Sequence, residues 1–130
     1  MKIFRIAIIV FAFIPLYFGL SGTISGAAPL VNGEPVASAV DNQYRYLSGV
    51  YIGIAIMLFY AAGDVIARAQ IFRLAMLAVF IGGIARLVSY LTVGGAEQWQ
   101  VGGMVTELLA PPLYMLWLTL VLKRSSNIIR

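Results

Sequence analysis

Four runs of almost unbroken apolar residues organise the chain, at about 3–20, 47–62, 71–93 and 101–122. Each approaches the roughly 20 residues an α-helix needs to cross a bilayer. The apolar residues do not collect on one stripe, as in a soluble amphipathic helix. They occupy nearly every face, as helices surrounded by lipid must. The pattern predicts an all-α integral membrane protein: a single domain over 1–130, folded as an antiparallel bundle of four transmembrane helices.

Most links between the runs are short, which favours antiparallel neighbours in sequence order. The exception is "SGTISGAAPLVNGEPVASAVDNQYRY" at 21–46. It is punctuated by Gly and Pro and weakly charged, so it is expected to lie on the membrane surface. Pro35 suits a first helical turn. Part of this loop is therefore expected to be helical, with helix 2 starting near Val36.

Composition agrees with the pattern. The 130 residues are 62% hydrophobic and 11% charged, and the mean hydropathy is +0.94. Soluble domains run closer to about half apolar and about a quarter charged. A net charge of +4 would suit nucleic acid, but no basic run exceeds Lys123-Arg124, and neither a phosphate loop nor an RNA-stacking motif occurs. No nucleic-acid partner is expected. The basic residues follow topology instead: Lys2, Arg5, Arg68, Arg73, Lys123, Arg124 and Arg130, seven of the nine, fall on one side of the four runs. By the positive-inside rule both termini are cytoplasmic, in an inner (plasma) membrane. Lys2 and Arg5 before an apolar run, with "SGA" at 25–27, resemble a cleavable signal, but the run is long for one. Helix 1 is expected to be retained as an anchor.

The chain has no cysteine and no histidine. That excludes Ser-His-Asp and Cys-His catalysis, disulfides and the usual zinc, copper and haem ligation. The carboxylates Glu34, Asp41, Asp64, Glu97 and Glu107 are scattered, which argues against a hard-metal cage. No catalytic residue, metal site or cofactor is assigned.

Arg86, in "FIGGIARLVSYL", lies inside the third apolar run with no acidic residue within eight positions. A charge in lipid is costly, so such residues face inward and pair. Helix 4 enters from the same side and brings Glu107 to a similar depth, so Glu107 is the expected partner. Spacing extends the group. Gly82, Arg86 and Tyr90 form an i, i+4 row, as do Gly103, Glu107 and Pro111, and Asp41, Arg45, Gly49 and Gly53. Glycines in such rows let helices approach, so Gly49, Gly53, Gly82, Gly83, Gly103, Pro111 and Pro112 are expected packing positions. Asp41, Asn42, Arg45, Tyr46, Arg86, Tyr90 and Glu107 are then expected around one polar zone open to the outer side. Pro111-Pro112 removes the helical donors of the Glu107 and Leu108 carbonyls, which would be free to accept from Arg86. Asp64 and Arg68 are expected to pair at the other end.

"DNQYRYLSGVYIG" at 41–53, "FRLAMLAVFIGGIARLVS" at 72–89 and "ELLAPPLYMLW" at 107–117 resemble the small bacterial four-helix membrane proteins catalogued as domain of unknown function 4345. The resemblance runs from about Arg5 to Leu122. It implies a four-helix membrane protein and carries no activity with it.

The leading functional expectation is non-catalytic. It is binding of a membrane lipid or small amphipathic ligand in the polar zone, or service as a subunit of a larger membrane complex. A carboxylate ligand would suit Arg45 and Arg86, because Arg offers bidentate recognition. The alternatives are a small transporter or proton-coupled carrier using Glu107 and Arg86, as a homo-oligomer because four helices enclose little space, and a membrane enzyme acting on an apolar substrate with Glu107 as acid or base. A buried Arg–Glu pair can also serve only to fix helix register.

Overall fold

The computed structural model describes residues 1–31 and 34–128, with backbone alone for 126–128; Asn32, Gly33, Ile129 and Arg130 lie outside the described residues. Four long helices account for nearly all of it: α1 (Lys2–Ser25), α2 (Ser38–Gly63), α3 (Ala69–Thr92) and α4 (Gln98–Ile128). No strand occurs among the described residues. All four helices are long and apolar enough to cross a membrane, and a helix is the open-chain form that satisfies its own backbone there. This is the architecture of a multi-pass membrane protein.

The helices outrun the apolar stretches. α2 begins at Ser38, nine residues before Leu47, and α4 begins at Gln98, before Val101. Hydropathy marks what lipid can cover, whereas the extra turns are polar helix held by other contacts. α1 stops where Gly26 takes φ 62°, left-handed backbone suited to glycine. A short 3-10 turn at Ala28–Leu30 follows. α3 gives way to Gly94 and Gly95, both with positive φ.

α1 packs most extensively on α2, α3 on α4, and α2 on α3, so sequence neighbours are spatial neighbours. The α1–α2 seam is close because Gly19 and Gly22 face it. A Cβ on Gly19 would lie 2.8 Å from the Ser48 carbonyl oxygen and 2.9 Å from the Ile52 nitrogen, and one on Gly22 would overlap Ser48 Oγ. Backbone atoms cannot yield as a side-chain tip does, so this seam requires glycine.

The apolar core is not central. Phe4, Ile8, Leu58, Phe72, Met76 and Leu118 are fully buried, and all belong to the half of the bundle that holds the termini and the α2–α3 turn. There Phe4 meets Phe72 edge-on at 5.6 Å and Trp117 at 5.0 Å. Tyr114, from α4, packs on Phe11 and donates to the Ala7 carbonyl at 2.9 Å. In the same half Asp64 and Arg68 do not pair. Asp64 accepts from the Ala67 amide, while Arg68 donates to the Tyr60 carbonyl at 2.7 Å and lies over the Tyr60 ring. The α2 C-terminus offers unsatisfied carbonyls, and a cation is better placed on them than on an exposed carboxylate. The opposite half, carrying the α1–α2 and α3–α4 loops, is where Asp41, Arg45, Tyr51, Arg86 and Glu107 lie.

Candidate functional site

The expected polar zone resolves into two separate clusters. The first sits at the end of α1. Arg45 Nε is 2.7 Å from Asp41 Oδ2, and Arg45 Nη1 donates to the carbonyls of Thr23 (2.5 Å) and Ile24 (3.1 Å). Asp41 Oδ1 accepts from the Ala27 amide at 2.9 Å. A helix terminus leaves its last carbonyls without partners, and a cation there also meets the negative end of the helix dipole. The first two turns of α2 thus clamp the C-terminus of α1. A Cβ on Gly26 would overlap Asp41 Oδ1, so this glycine makes room for the clamp as well as turning the chain.

The second cluster joins α2, α3 and α4. Arg86 Nε lies 2.8 Å from Glu107 Oε2. Tyr51 donates to Glu107 Oε1 at 2.9 Å and accepts from Arg86 Nη2 at 3.3 Å. A cation, an anion and a phenol form a closed, neutral triangle. Glu107 is the more deeply set, its side chain 13% exposed against 35% for Arg86. Oε2 is buried and receives no aligned hydrogen bond, so its short approach to Nε is a charge contact. Gly83, one turn before Arg86, brings α3 onto α4 at this level: a Cβ there would sit 2.9 Å from Glu107 Cβ and 3.0 Å from its carbonyl carbon. The two prolines that follow are inside α4, yet Arg86 makes no hydrogen bond to the Glu107 or Leu108 carbonyl; its donors go to Glu107 and Tyr51.

Arg86 borders three cavities. One, about 200 Å³, is a slot between α1 and α4 with Tyr51, Arg86 and Glu107 as its polar floor and Phe11, Ile14, Pro15, Phe18, Trp99 and Gly103 among its walls. A second, about 330 Å³, lies on the α2–α3 side and shares Phe18, Tyr51, Arg86 and Trp99 with the slot. The third, about 150 Å³, runs toward the α3–α4 loop past Tyr90. Phe18 and Trp99 stack at 6.1 Å and 13° between the first two. At the rim, Ile14, Phe18 and Trp99 are exposed, so the slot opens sideways.

The remaining expected residues divide accordingly. Asn42 and Tyr46 are exposed on α2, and their side chains make no hydrogen bond among the described residues. Tyr90 borders a cavity but is 46% exposed and outside the triangle. Asp41 and Arg45 belong to the α1 clamp. Gly49, Gly53, Gly82 and Gly103 are not close-packing positions, for a Cβ on any of them would meet open space. Gly82 and Gly103 border cavities instead, so the missing side chain opens volume. Pro111 is buried and Pro112 exposed. The residue that spacing missed is Tyr51, an aromatic in an apolar run that reads as lipid-facing. Its signal lies in the face it shares with Tyr44, Ser48 and Leu58, at helical intervals of four, three and seven.

Residues 3–118 match the family described as domain of unknown function (DUF4345). No curated protein and no solved structure matches the chain. The match takes in all three members of the polar triangle, the α1 clamp and the walls of the slot, and the chain belongs to that family, domain of unknown function 4345.

Proposed function

We propose that this protein binds a lipid or small amphipathic molecule from the membrane, the apolar part in the α1–α4 slot and the polar end at Tyr51, Arg86 and Glu107. One observation carries the reading: a polar triangle forms the floor of an aromatic-walled cavity that opens laterally. Apolar walls with a few convergent polar groups are the usual build of a small-molecule site. A device that only fixed register would be served by a closed seam, such as the one Gly83 makes with Glu107, and has no use for a cavity. The slot is larger than the ~150 Å³ that accepts benzene in an engineered apolar cavity.

The reading places the protein in a bacterial inner membrane with both termini inside. Its support is the gathering of Lys2, Arg5, Arg68, Arg73, Lys123 and Arg124 at one end of the bundle. Native mass spectrometry after gentle detergent extraction tests the binding. The wild type is expected to carry a bound amphipath. Gly103→Leu, which grows into open space at the slot wall, is expected to fold and lose it. An identical adduct on both proteins, or none on the wild type, contradicts the proposal.

A further inference from the structure

We infer that the slot selects a neutral molecule whose head is an oxygen acceptor, an alcohol or a carbonyl, over any charged amphipath. The inference rests on the binding reading above and names the chemistry of its ligand. Arg86 alone would recruit an anion. It is not alone: Glu107 lies against its Nε at 2.8 Å, and both contact Tyr51. The floor is therefore electrically neutral before any ligand arrives. A carboxylate or phosphate would leave a net negative charge in a low-dielectric slot, and an ammonium head a net positive one, each an uncompensated buried charge.

The second cation expected at the mouth does not reach the slot, since Arg45 is bound to Asp41 and to the Thr23 and Ile24 carbonyls. What the floor does have to spare is donors. A guanidinium has five N–H groups. In Arg86, Nε faces Glu107 and one Nη2 hydrogen goes to Tyr51, which leaves Nη donors on a side chain bordering three cavities. Glu107 Oε2 is buried beyond reach, and Oε1 already accepts from Tyr51. Arg86 has N–H donors to spare, while the triangle's oxygens are buried or already engaged, so the complementary head is a neutral acceptor. Tyr51 already shows the fit from within the chain, its hydroxyl oxygen accepting from Arg86.

The test uses Trp99 as sensor, in the full chain reconstituted in nanodiscs, with Trp117→Phe to remove the other indole, which packs in the distant aromatic core. The probes are alkyl chains of matched length, brominated near the head, carrying a hydroxyl, a methyl ketone, a sulfonate or a trimethylammonium group. The last two stay charged at any pH. The alcohol and ketone are expected to quench Trp99 saturably at concentrations roughly tenfold or more below those of the charged chains. Glu107→Gln leaves Arg86 uncompensated and is expected to reverse the order in favour of the sulfonate. A sulfonate that binds tightest to the wild type overturns the inference while leaving the slot as a site, and the wild-type order decides this even if Glu107→Gln does not fold. An unchanged order in a folded Glu107→Gln also overturns it. Failure of every probe to quench saturably removes the binding reading itself.

Discussion

Arg86, Glu107 and Tyr51 satisfy one another, so removing one member leaves the others stranded. Arg86→Ala and Glu107→Ala are each expected to destabilise the fold by roughly 3–5 kcal/mol, the cost of an unpaired buried charge. The double variant should recover a coupling energy of about 0.5–3 kcal/mol, as contacting residues do. A double-mutant cycle by steric-trap or denaturant unfolding checks it, and strict additivity would contradict the 2.8 Å contact. Glycines make a second comparison. Gly83→Ala must push against Glu107 Cβ and backbone and should cost about 1–3 kcal/mol, as overpacking does. Gly82→Ala meets open space and should be close to neutral. Equal effects would contradict the assignment of Gly83 as the point of closest approach. The Arg86–Glu107 pair was legible in the sequence because two isolated opposite charges at one depth have few other solutions in lipid. Tyr51 was not, since a phenol tolerates an interface, a lipid face or a polar network equally.

The helices themselves were legible for the reason that lipid demands them: an apolar run of this length satisfies its backbone only as a helix. Their polar ends were legible only in part: Pro35 marked the start of helix 2 near Val36, two residues from Ser38, but not what holds it there. The first two turns of α2 are held by a clamp on α1 rather than by burial of apolar surface, and hydropathy does not register that. Spacing also placed Asp41 and Arg45 with Arg86, because it gives the face of each helix but not how the helices are rotated against one another. The clamp is a property of the α1–α2 pair. Asp41→Ala removes the acceptor of the Ala27 amide, and Arg45→Gln the cation on the Thr23 and Ile24 carbonyls. Hydrogen exchange is expected to quicken at the C-terminal turn of α1 in both variants and stay unchanged in α3 and α4. Because Arg45 lies outside the slot, Arg45→Gln should also leave the bound adduct intact; its loss would return Arg45 to the ligand site. The glycines of α1 carry the same lesson. Gly19, Gly22 and, just past the helix end, Gly26 recur at intervals of three and four and face α2, whereas Gly49 and Gly53 on α2 and Gly103 on α4, in rows that looked equally regular, border open space.

Across the molecule the two halves are built for different ends. The half with the termini holds the aromatic core, bordered by an apolar groove of about 340 Å³ between α3 and α4; the half with the long loop divides around cavities and a neutral polar triangle. With four helices and a dense core at one end, the bundle can hold its shape while the other end stays open to a ligand. The basic residues at the dense end set its proposed orientation. A cysteine at Glu97 should react with an impermeant maleimide in intact spheroplasts, and one at Arg124 only after permeabilisation; the opposite pattern would invert the bundle. The central claim, that the triangle is the floor of a binding site and not only a fastener, is tested most directly by replacing both of its charges. Apolar replacement of a whole buried ion pair is often tolerated, so Arg86→Met with Glu107→Leu is expected to fold, losing about 1–3 kcal/mol for the Tyr51 hydroxyl left without either partner. Native mass spectrometry of that folded double variant should then show the chain without the amphipath that accompanies the wild type. The same adduct at the same occupancy on the double variant would contradict the account and leave Arg86 and Glu107 as a means of positioning α3 on α4.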